Sequence, residues 1–224
     1  MHTHYARFQD RTDAGKQLAK LLKRYANRPD VLVLGLPRGG LPVAYEVAQS
    51  LNVSLDICLV RKLGVPGHRE LAMGAIAADG VRVLNYDIIS WLGIPSKTID
   101  DVAARELKEL QRRDRLYRGT RPQPQIGDRT VILVDDGMAT GATMRAAIAV
   151  LQRERPAHLV VAVPVAPPEV CDTCREEVDE VVCLIQPEAF YAIGVWYENF
   201  AQLTDQQVHE ILARCDRQPA QVLA

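Results

Sequence analysis

Two patterns of hydrophobic and polar positions follow each other along the chain. Short apolar runs bounded by glycine, proline or charged residues are typical of buried strands, and apolar residues spaced three and four apart are typical of helices packed on one face. The runs predict strands at 31–36, 55–60, 131–134, 159–163 and 181–185. The spacing predicts helices at 14–25, 42–51, 144–154 and 167–176. This repeated order predicts an α/β fold, with a mainly parallel sheet flanked by helices on both faces.

Three segments interrupt this pattern. The stretch from Leu63 to Met73 contains two glycines, a proline and three charged or titratable residues, which predicts a mobile loop. Asp79 and Gly80 separate two short apolar runs at 75–78 and 81–84, which predicts a hairpin. A long charged helix is predicted at about 96–118, as an insertion into the core.

The C-terminal segment, 187–224, differs from the rest in its aromatic content. Five of the twelve aromatic residues lie between Phe190 and Phe200. Beyond them, Thr204 and Gln207 have the spacing of a capping box, which predicts a last helix. We expect a single domain over 1–224, with a core at about 12–186 and this segment as an aromatic and helical tail.

Composition limits the function and location. The chain has 48% hydrophobic and 25% charged residues and a formal net charge of -1, so it has no overall attraction to nucleic acid. No apolar run reaches the length needed to span a membrane, and 1–7 lacks the apolar core of a signal peptide. Five cysteines, an odd number, fit a reducing compartment better than a disulfide framework. We therefore expect a cytoplasmic protein without membrane contact.

The candidate chemistry begins where the strand at 131–134 ends. Asp135 and Asp136 follow it, at the edge of an open α/β sheet where ligands bind. The loop after them, 137–143, consists mostly of glycine and alanine, which leave the backbone N–H groups open to an anion. Thr140 and Thr143 add hydroxyl donors, and a helix N-terminus follows with its unpaired N–H groups. This stretch is therefore a candidate phosphate site.

A second glycine loop, Gly35 to Gly40, follows the strand at 31–36. Glycines after a strand often only make a tight turn, so this loop alone is a weak signal. Arg61 and Lys62 come at the end of the predicted strand at 55–60 and supply positive charge.

The stretch from Val131 to Thr143 resembles the phosphoribosyl pyrophosphate (PRPP) signature of the type I phosphoribosyltransferases: an apolar strand, two acidic residues, a small-residue loop and Thr-Gly-x-Thr. Gly35 to Gly40 resembles the pyrophosphate loop of that family. Arg61 and Lys62, with the segment after them, resemble its basic residues and flexible loop. The resemblance covers most of the chain and implies the type I fold, with the tail contributing to a small hood.

The resemblance also implies a role for each of these positions. Asp135 and Asp136 would accept hydrogen bonds from the ribose hydroxyls, and they would act as catalytic residues together with Arg38 and Lys62. The 5'-phosphate would be bound by Ala139, Thr140, Gly141, Ala142 and Thr143. The pyrophosphate would be bound by Pro37, Arg38, Gly39, Gly40, Arg61 and Lys62. The flexible loop would include Gly64, Gly67, His68 and Glu70.

The implied reaction transfers 5-phosphoribosyl from PRPP to a nitrogenous base or related acceptor, with release of pyrophosphate, as part of nucleotide metabolism. Mg²⁺ is the expected cofactor, bound mainly to oxygens of PRPP, with Asp135 and Asp136 contributing directly or through water. No clear general base is present. His68 and Glu70 are candidates, but solvated loop residues are the simpler interpretation.

Several alternatives stay open. Between Arg105 and Arg121 seven basic residues face three acidic ones, which would suit a PRPP-sensing regulator that binds nucleic acid, although the same charges suit a solvated helix and we do not favour nucleic acid as a partner. A PRPP-binding module without turnover is also possible. Cys171 and Cys174 lack a second pair of zinc ligands, so they are interpreted as ordinary cysteines. Four aromatic residues of the tail could stack on the acceptor: Phe190, Tyr191, Trp196 and Tyr197. The identity of the acceptor and homodimer formation are left open.

Overall fold

A computed structural model describes residues 7–217, with all side chains in that range except those of residues 69, 70, 216 and 217. The α-helices are α1 Arg11–Leu21, α2 Gly40–Leu51, α3 Tyr86–Trp91, α4 Ser96–Arg118, α5 Ala142–Arg153, α6 Pro168–Arg175 and α7 Asp205–Arg217. The strands are β1 Val31–Gly35, β2 Ser54–Ile57, β3 Val60–Val65, β4 His68–Ala77, β5 Arg82–Leu84, β6 Thr130–Val134, β7 His158–Val165 and β8 Glu180–Ile185. The predictions on residues 1–6, on the end of the tail at 218–224 and on the side chain of Glu70 lie outside the described residues.

The central sheet has five parallel strands in the order β2-β1-β6-β7-β8. Every residue of β1 and β6 is buried, which explains why both read as continuous apolar runs. The chain runs outward from β1 to β2 on one side and from β6 to β8 on the other, so the strand order reverses between β1 and β6. Ligands of open parallel sheets bind at such a reversal, beyond the carboxyl ends of the strands. The prediction of an α/β fold with a mainly parallel sheet is confirmed.

The second sheet is antiparallel, in the order β3-β4-β5, and it corrects one prediction. The segment from Leu63 to Met73 was expected to be a mobile loop, but most of it forms the hairpin between β3 and β4. Leu63, Val65 and Met73 are buried, so burial of alternate apolar residues outweighs the local glycines. Gly67, at φ +80, lies in the tight turn. The hairpin predicted at 75–84 is present as β4 and β5.

The residues divide into two compact units. Among the described residues, the first contains 7–58, 124–141 and 156–217, and so includes the whole five-stranded sheet with α1, α2, α6 and α7. The second contains 59–123 and 142–155, where α5 and α4 both pack against β3 and β4. In the second unit, the small apolar side chains of Ala75, Ala77, Ala146 and Val150 form a buried cluster. The prediction of a single domain over 1–224 stays a prediction.

The helices differ from the sequence prediction in two places. Helix α1 begins at Arg11 rather than at 14, after Asp10, whose Oδ1 caps the helix by accepting the N–H of Asp13 at 2.9 Å. Helix α3 was not predicted; it is only six residues long and none of them is buried.

The capping box of α7 forms as predicted. Thr204 Oγ1 accepts the N–H of Gln207 at 3.2 Å, and Gln207 Oε1 accepts the N–H of Thr204 at 2.9 Å. Within residues 7–217, no helix is both long enough and apolar enough to cross a membrane.

Candidate active site

The two carboxylates lie at the carboxyl end of β6, at the reversal of strand order. Asp135 Oδ1 accepts the backbone N–H of Asp136 at 2.8 Å, so the two residues form one compact turn. Asp136 is 8% exposed. Beside them β1 runs parallel to β6, with Gly35 opposite Val134, and the N–H of Leu36 donates to the carbonyl of Val134 at 2.9 Å. The sheet register therefore places the loop after β1 next to the acidic pair.

The glycine loop after β1 approaches the acidic pair closely enough to exclude side chains. A Cβ on Gly39 would lie 2.0 Å from Asp136 Oδ2, and one on Gly40 would lie 2.7 Å from the Cα of Asp135. Gly39 has ordinary helical angles, φ -65 and ψ -36, so glycine is needed there for space rather than for backbone freedom. The glycine loop and the acidic turn are thus in contact at the sheet's reversal, and the Pro37–Arg38 peptide bond, which is cis, lies at the start of this approach.

Arg11, the first residue of α1, is part of the site and was not predicted from the sequence. Its Nε donates to Asp136 Oδ2 at 2.8 Å, and its Nη1 donates to the carbonyl of Ala201 at 2.9 Å. The guanidinium lies 3.9 Å from the centre of the Phe200 ring. The ion pair joins residues 125 positions apart, so no local pattern could have indicated it.

The tail also contributes to the site from its aromatic segment. The Tyr197 hydroxyl donates to the backbone carbonyl of Asp136 at 2.6 Å. Burial, followed by the charge of Asp136, raises the pKa of Tyr197 above its usual value, so the hydroxyl keeps its proton. At the start of α7, Asp205 Oδ1 lies 3.8 Å from Arg38 Nη1. The tail therefore contacts both the acidic turn and the glycine loop.

Burial controls the protonation of the acidic pair. Loss of hydration, followed by the charge of Asp136, raises the pKa of Asp135 well above its ordinary value. Loss of hydration also raises the pKa of Asp136, but the ion pair and hydrogen bond with Arg11 oppose this rise. Both pKa values are therefore raised, and Asp135 has the stronger tendency to keep a proton, because Arg11 offsets part of the rise for Asp136. Perturbed pKa values of this kind are common at functional sites.

The small-residue loop leads from the acidic pair into α5. Gly141 adopts φ +70, a left-handed conformation that favours glycine, and α5 begins at the next residue, Ala142. Upstream, the N–H of Met138 donates to the carbonyl of Val165 at 2.9 Å, which ties the start of the loop to β7. Four of the five predicted phosphate residues are exposed: Ala139, Thr140, Ala142 and Thr143. A helix N-terminus beside exposed small residues can bind an anion.

The remaining predicted site residues lie in the second unit. Arg61 and Lys62 are inside β3 rather than after a strand, and Arg61 Nε pairs with Glu106 Oε2 of α4 at 2.8 Å. Gly64 lies at an irregularity of the β3–β4 pairing, Gly67 is in the turn, and His68 begins β4. Their roles in pyrophosphate binding and loop closure stay predictions.

The cysteines and aromatic residues separate into buried and exposed groups. Cys171 and Cys174 are fully buried on α6, as expected for ordinary packing residues. Trp196 and Tyr197 are buried in an apolar cluster, whereas Tyr191 is 87% exposed. Among the four aromatic residues proposed to stack on an acceptor, Tyr191 is therefore the one with an open ring.

The oxygen donors of the acidic pair suit Mg²⁺, which prefers carboxylate oxygens and retains waters. One oxygen of each carboxylate already accepts a protein hydrogen bond, from Asp136 N–H and Arg11 Nε respectively. Across the described residues, no group of three or more histidine, cysteine or acidic side chains could hold a metal ion. Binding of Mg²⁺ mainly to oxygens of PRPP stays a prediction.

Comparison with known proteins decides the family. The model of the phosphoribosyl transferase domain matches residues 3–196. The chain belongs to this family. A crystal structure of TT1426 from Thermus thermophilus is 43% identical, with a TM-score of 0.86, and the alignment covers 93% of this chain and 98% of that one. The type I phosphoribosyltransferase fold expected from the sequence is confirmed.

Two curated relatives give further context. A Mycobacterium tuberculosis H37Rv protein named "Putative phosphoribosyl transferase" is 46% identical over 210 residues, which are 94% of this chain. This chain spans 47% of that protein's length, about half. The "Bifunctional protein PyrR" of Alkaliphilus metalliredigens is 30% identical over 132 residues, which are 58% of this chain and 66% of that protein.

Proposed function

We propose that the protein transfers 5-phosphoribosyl from PRPP to a nitrogenous acceptor and releases pyrophosphate, with Mg²⁺ as cofactor. The observation that carries this proposal is the direct contact between the Gly39–Gly40 turn and the Asp135–Asp136 turn. A glycine loop for one anion, a pair of carboxylates and a second small-residue loop follow each other around the edge of one sheet. PRPP carries its pyrophosphate, its ribose hydroxyls and its 5'-phosphate in the same order.

The proposed chemistry is electrostatic. Departure of pyrophosphate leaves positive charge on the ribose ring and places negative charge on the leaving oxygen, as in other reactions at a glycosidic carbon. Arg38 would stabilise the leaving group, and the backbone N–H of Gly39 would orient it. Asp136, paired with Arg11, would accept a hydrogen bond from a ribose hydroxyl, and Asp135 would form a hydrogen bond there as well. Bound Mg²⁺ would supply further neutralisation of pyrophosphate charge.

A screen of nitrogenous bases tests the proposal. Pyrophosphate release is measured with PRPP and Mg²⁺ for each base, and thermal shift measures PRPP binding without an acceptor. We expect PRPP to raise the melting temperature of the wild type and not of the Asp135→Asn, Asp136→Asn double variant. The proposal is wrong if PRPP does not stabilise the wild type and the double substitution changes nothing.

Thr140→Val gives a sharper test of the 5'-phosphate loop. The change removes a hydroxyl donor and nearly preserves shape, so PRPP affinity should fall by about tenfold. Thr140→Ser keeps the hydroxyl and serves as the matched control, for which affinity should stay within about threefold. Equal affinity of the valine and serine variants would show that this hydroxyl does not bind the phosphate.

No specific observation supports the alternative function, a PRPP-sensing regulator that binds nucleic acid. Arginines of α4 form ion pairs with acidic residues of the same helix, including Arg112 and Arg113 with Glu109, and Arg118 with Asp114. Charges paired in this way favour a solvated helix face over a nucleic-acid surface. A salt-dependent mobility shift of RNA or DNA would support the regulator instead.

A further inference from the structure

Arg11 is held by the protein at three points. Its Nε donates to Asp136 Oδ2 at 2.8 Å, and its Nη1 donates to the carbonyl of Ala201 at 2.9 Å. Its guanidinium carbon, Cζ, lies 3.9 Å from the centre of the Phe200 ring. The side chain is 12% exposed. A planar guanidinium with a carboxylate, a carbonyl and a ring as simultaneous partners has essentially one orientation. Its position is therefore fixed by the protein.

Asp136 is in turn held through both its backbone carbonyl and its side-chain carboxylate. Tyr197 donates a hydrogen bond to its backbone carbonyl at 2.6 Å, and Arg11 holds one carboxylate oxygen. That oxygen, Oδ2, occupies the space where a side chain at position 39 would begin, 2.0 Å from the Cβ that Gly39 lacks. With Oδ2 committed to Arg11, Oδ1 is the oxygen that a ligand hydroxyl can use.

We propose that Arg11 is a positioning residue that orients Asp136 to accept a ribose hydroxyl, and that the tail segment 197–201 holds Arg11 in place. The inference rests on the proposed function, because it concerns how the same site recognises ribose. Orientation before binding matters because a freely rotating carboxylate would lose rotamer entropy when the ligand is bound. The N-terminal helix and the tail thereby act on recognition through Asp136.

A purely structural ion pair predicts a different result. If Arg11 only stabilised the fold, its loss would weaken all ligands alike. If Arg11 orients Asp136, its loss should weaken the recognition of a hydroxyl specifically. Ribose 5-phosphate and its 2-deoxy and 3-deoxy forms carry the same charge, so the ratio of their affinities isolates each hydroxyl from general electrostatics.

The experiment measures these three affinities by calorimetry with the full chain. Asp136→Asn first identifies the hydroxyl that Asp136 binds. It is the hydroxyl whose removal from ribose 5-phosphate changes affinity less in Asp136→Asn than in the wild type. We expect the wild type to favour ribose 5-phosphate over the corresponding deoxy form by about tenfold, and Arg11→Met to lower that ratio to about one. Arg11→Lys keeps the charge but not the fork of donors, so its ratio should be intermediate.

Two further variants complete the test. Arg24→Met removes another arginine that pairs with a carboxylate, Glu180, away from the site, and should keep the wild-type ratio. Phe200→Leu removes the ring beside the guanidinium and should lower the ratio, which provides a second measurement if Arg11→Met does not fold. If Arg11→Met keeps the wild-type ratio of ribose 5-phosphate affinity to deoxy affinity, the inference is wrong but the proposed function is not affected. If Arg11→Met does not fold, a wild-type ratio in Phe200→Leu has the same meaning. A wild type without any preference for ribose overturns the proposed ribose recognition and the inference with it.

Discussion

At the scale of single residues, the approach of Gly39 to Asp136 leads to the most direct prediction. Gly39→Ala would place a Cβ 2.0 Å from Asp136 Oδ2, so the carboxylate or the loop must move. We expect the free energy of unfolding to fall by about 1–3 kcal/mol, as in other overpacked sites. PRPP affinity should fall by at least about tenfold, because both the glycine loop and the acidic turn are disturbed. Urea unfolding and calorimetry measure the two effects.

Gly119→Ala is the matched control for this substitution. Gly119 differs from Gly39 in having a positive φ of +60, and a Cβ there would meet nothing within 4 Å. It should lose about 1 kcal/mol of stability through backbone strain and keep PRPP affinity. Wild-type PRPP affinity in Gly39→Ala would contradict the role of this close approach.

The acidic pair predicts an unusual dependence of stability on pH. The pKa of Asp135 is raised in the folded protein, so the folded state binds more protons than the unfolded state above the ordinary pKa of about 3.9. Asp135 therefore stabilises the fold most at pH values below the ordinary pKa. This stabilisation is lost as the pH rises through the raised pKa of the folded state. Asp135→Asn should therefore increase the free energy of unfolding at pH 7, and the increase should be smaller at pH 3. The increase at pH 7 should exceed about 0.5 kcal/mol, which is the usual range for surface substitutions.

Glu109 has the opposite shift and serves as a control. Hydrogen bonds from Arg112 and Arg113 lower the pKa of Glu109 to about 2. Its contribution to stability is present above the ordinary pKa of about 4.3 and is lost as pH falls toward 2. Glu109→Gln should destabilise slightly at pH 7, since the pair is solvent-screened, and should have no effect near pH 2. The same sign for both variants in urea unfolding would refute the assignment.

At the scale of elements, sequence patterns predict what is encoded locally. Strands β1 and β6 were found because all their residues are buried and, apart from Gly35 and Thr130 at their ends, carry apolar side chains. The hairpin of β3 and β4 was missed because Arg61 and Lys62 interrupt the apolar alternation of β3 and glycines suggested a loop. The acidic turn and glycine loop were found because their residues are contiguous, whereas Arg11 acts through contacts made only in the folded chain.

The capping box of α7 is an element whose contribution can be measured. Thr204→Ala removes the side-chain acceptor of the Gln207 N–H, and we expect a loss of about 1 kcal/mol in the free energy of unfolding. Thr204→Ser keeps the acceptor and should lose less than half as much. Urea unfolding distinguishes the two, and equal stability of the alanine variant and the wild type would show that the cap is not needed.

At the scale of the whole molecule, α5 follows a loop of the first unit in the chain and contributes side chains to the core of the second unit. It begins directly after the small-residue loop, and its Ala146 and Val150 belong to the buried cluster of the second unit. Half of that four-residue cluster comes from α5, and the other half comes from β4. The second unit therefore needs two separate stretches of chain, 59–123 and 142–155, to form its core.

Val150→Ala tests this organisation by native-state hydrogen exchange. Truncation of a buried side chain should cost about 1–2 kcal/mol, even though alanine favours a helix more than valine does. Because opening of a local unit exposes only its own amides, exchange should accelerate about tenfold in β4 and less in β7, a strand of the first unit. Arg153→Ala, an exposed change on the same helix, should leave both strands unchanged. Equal acceleration in β4 and β7 would instead mean that the two units open together, and a stabilised variant would mean that Val150 acts through helix propensity rather than packing.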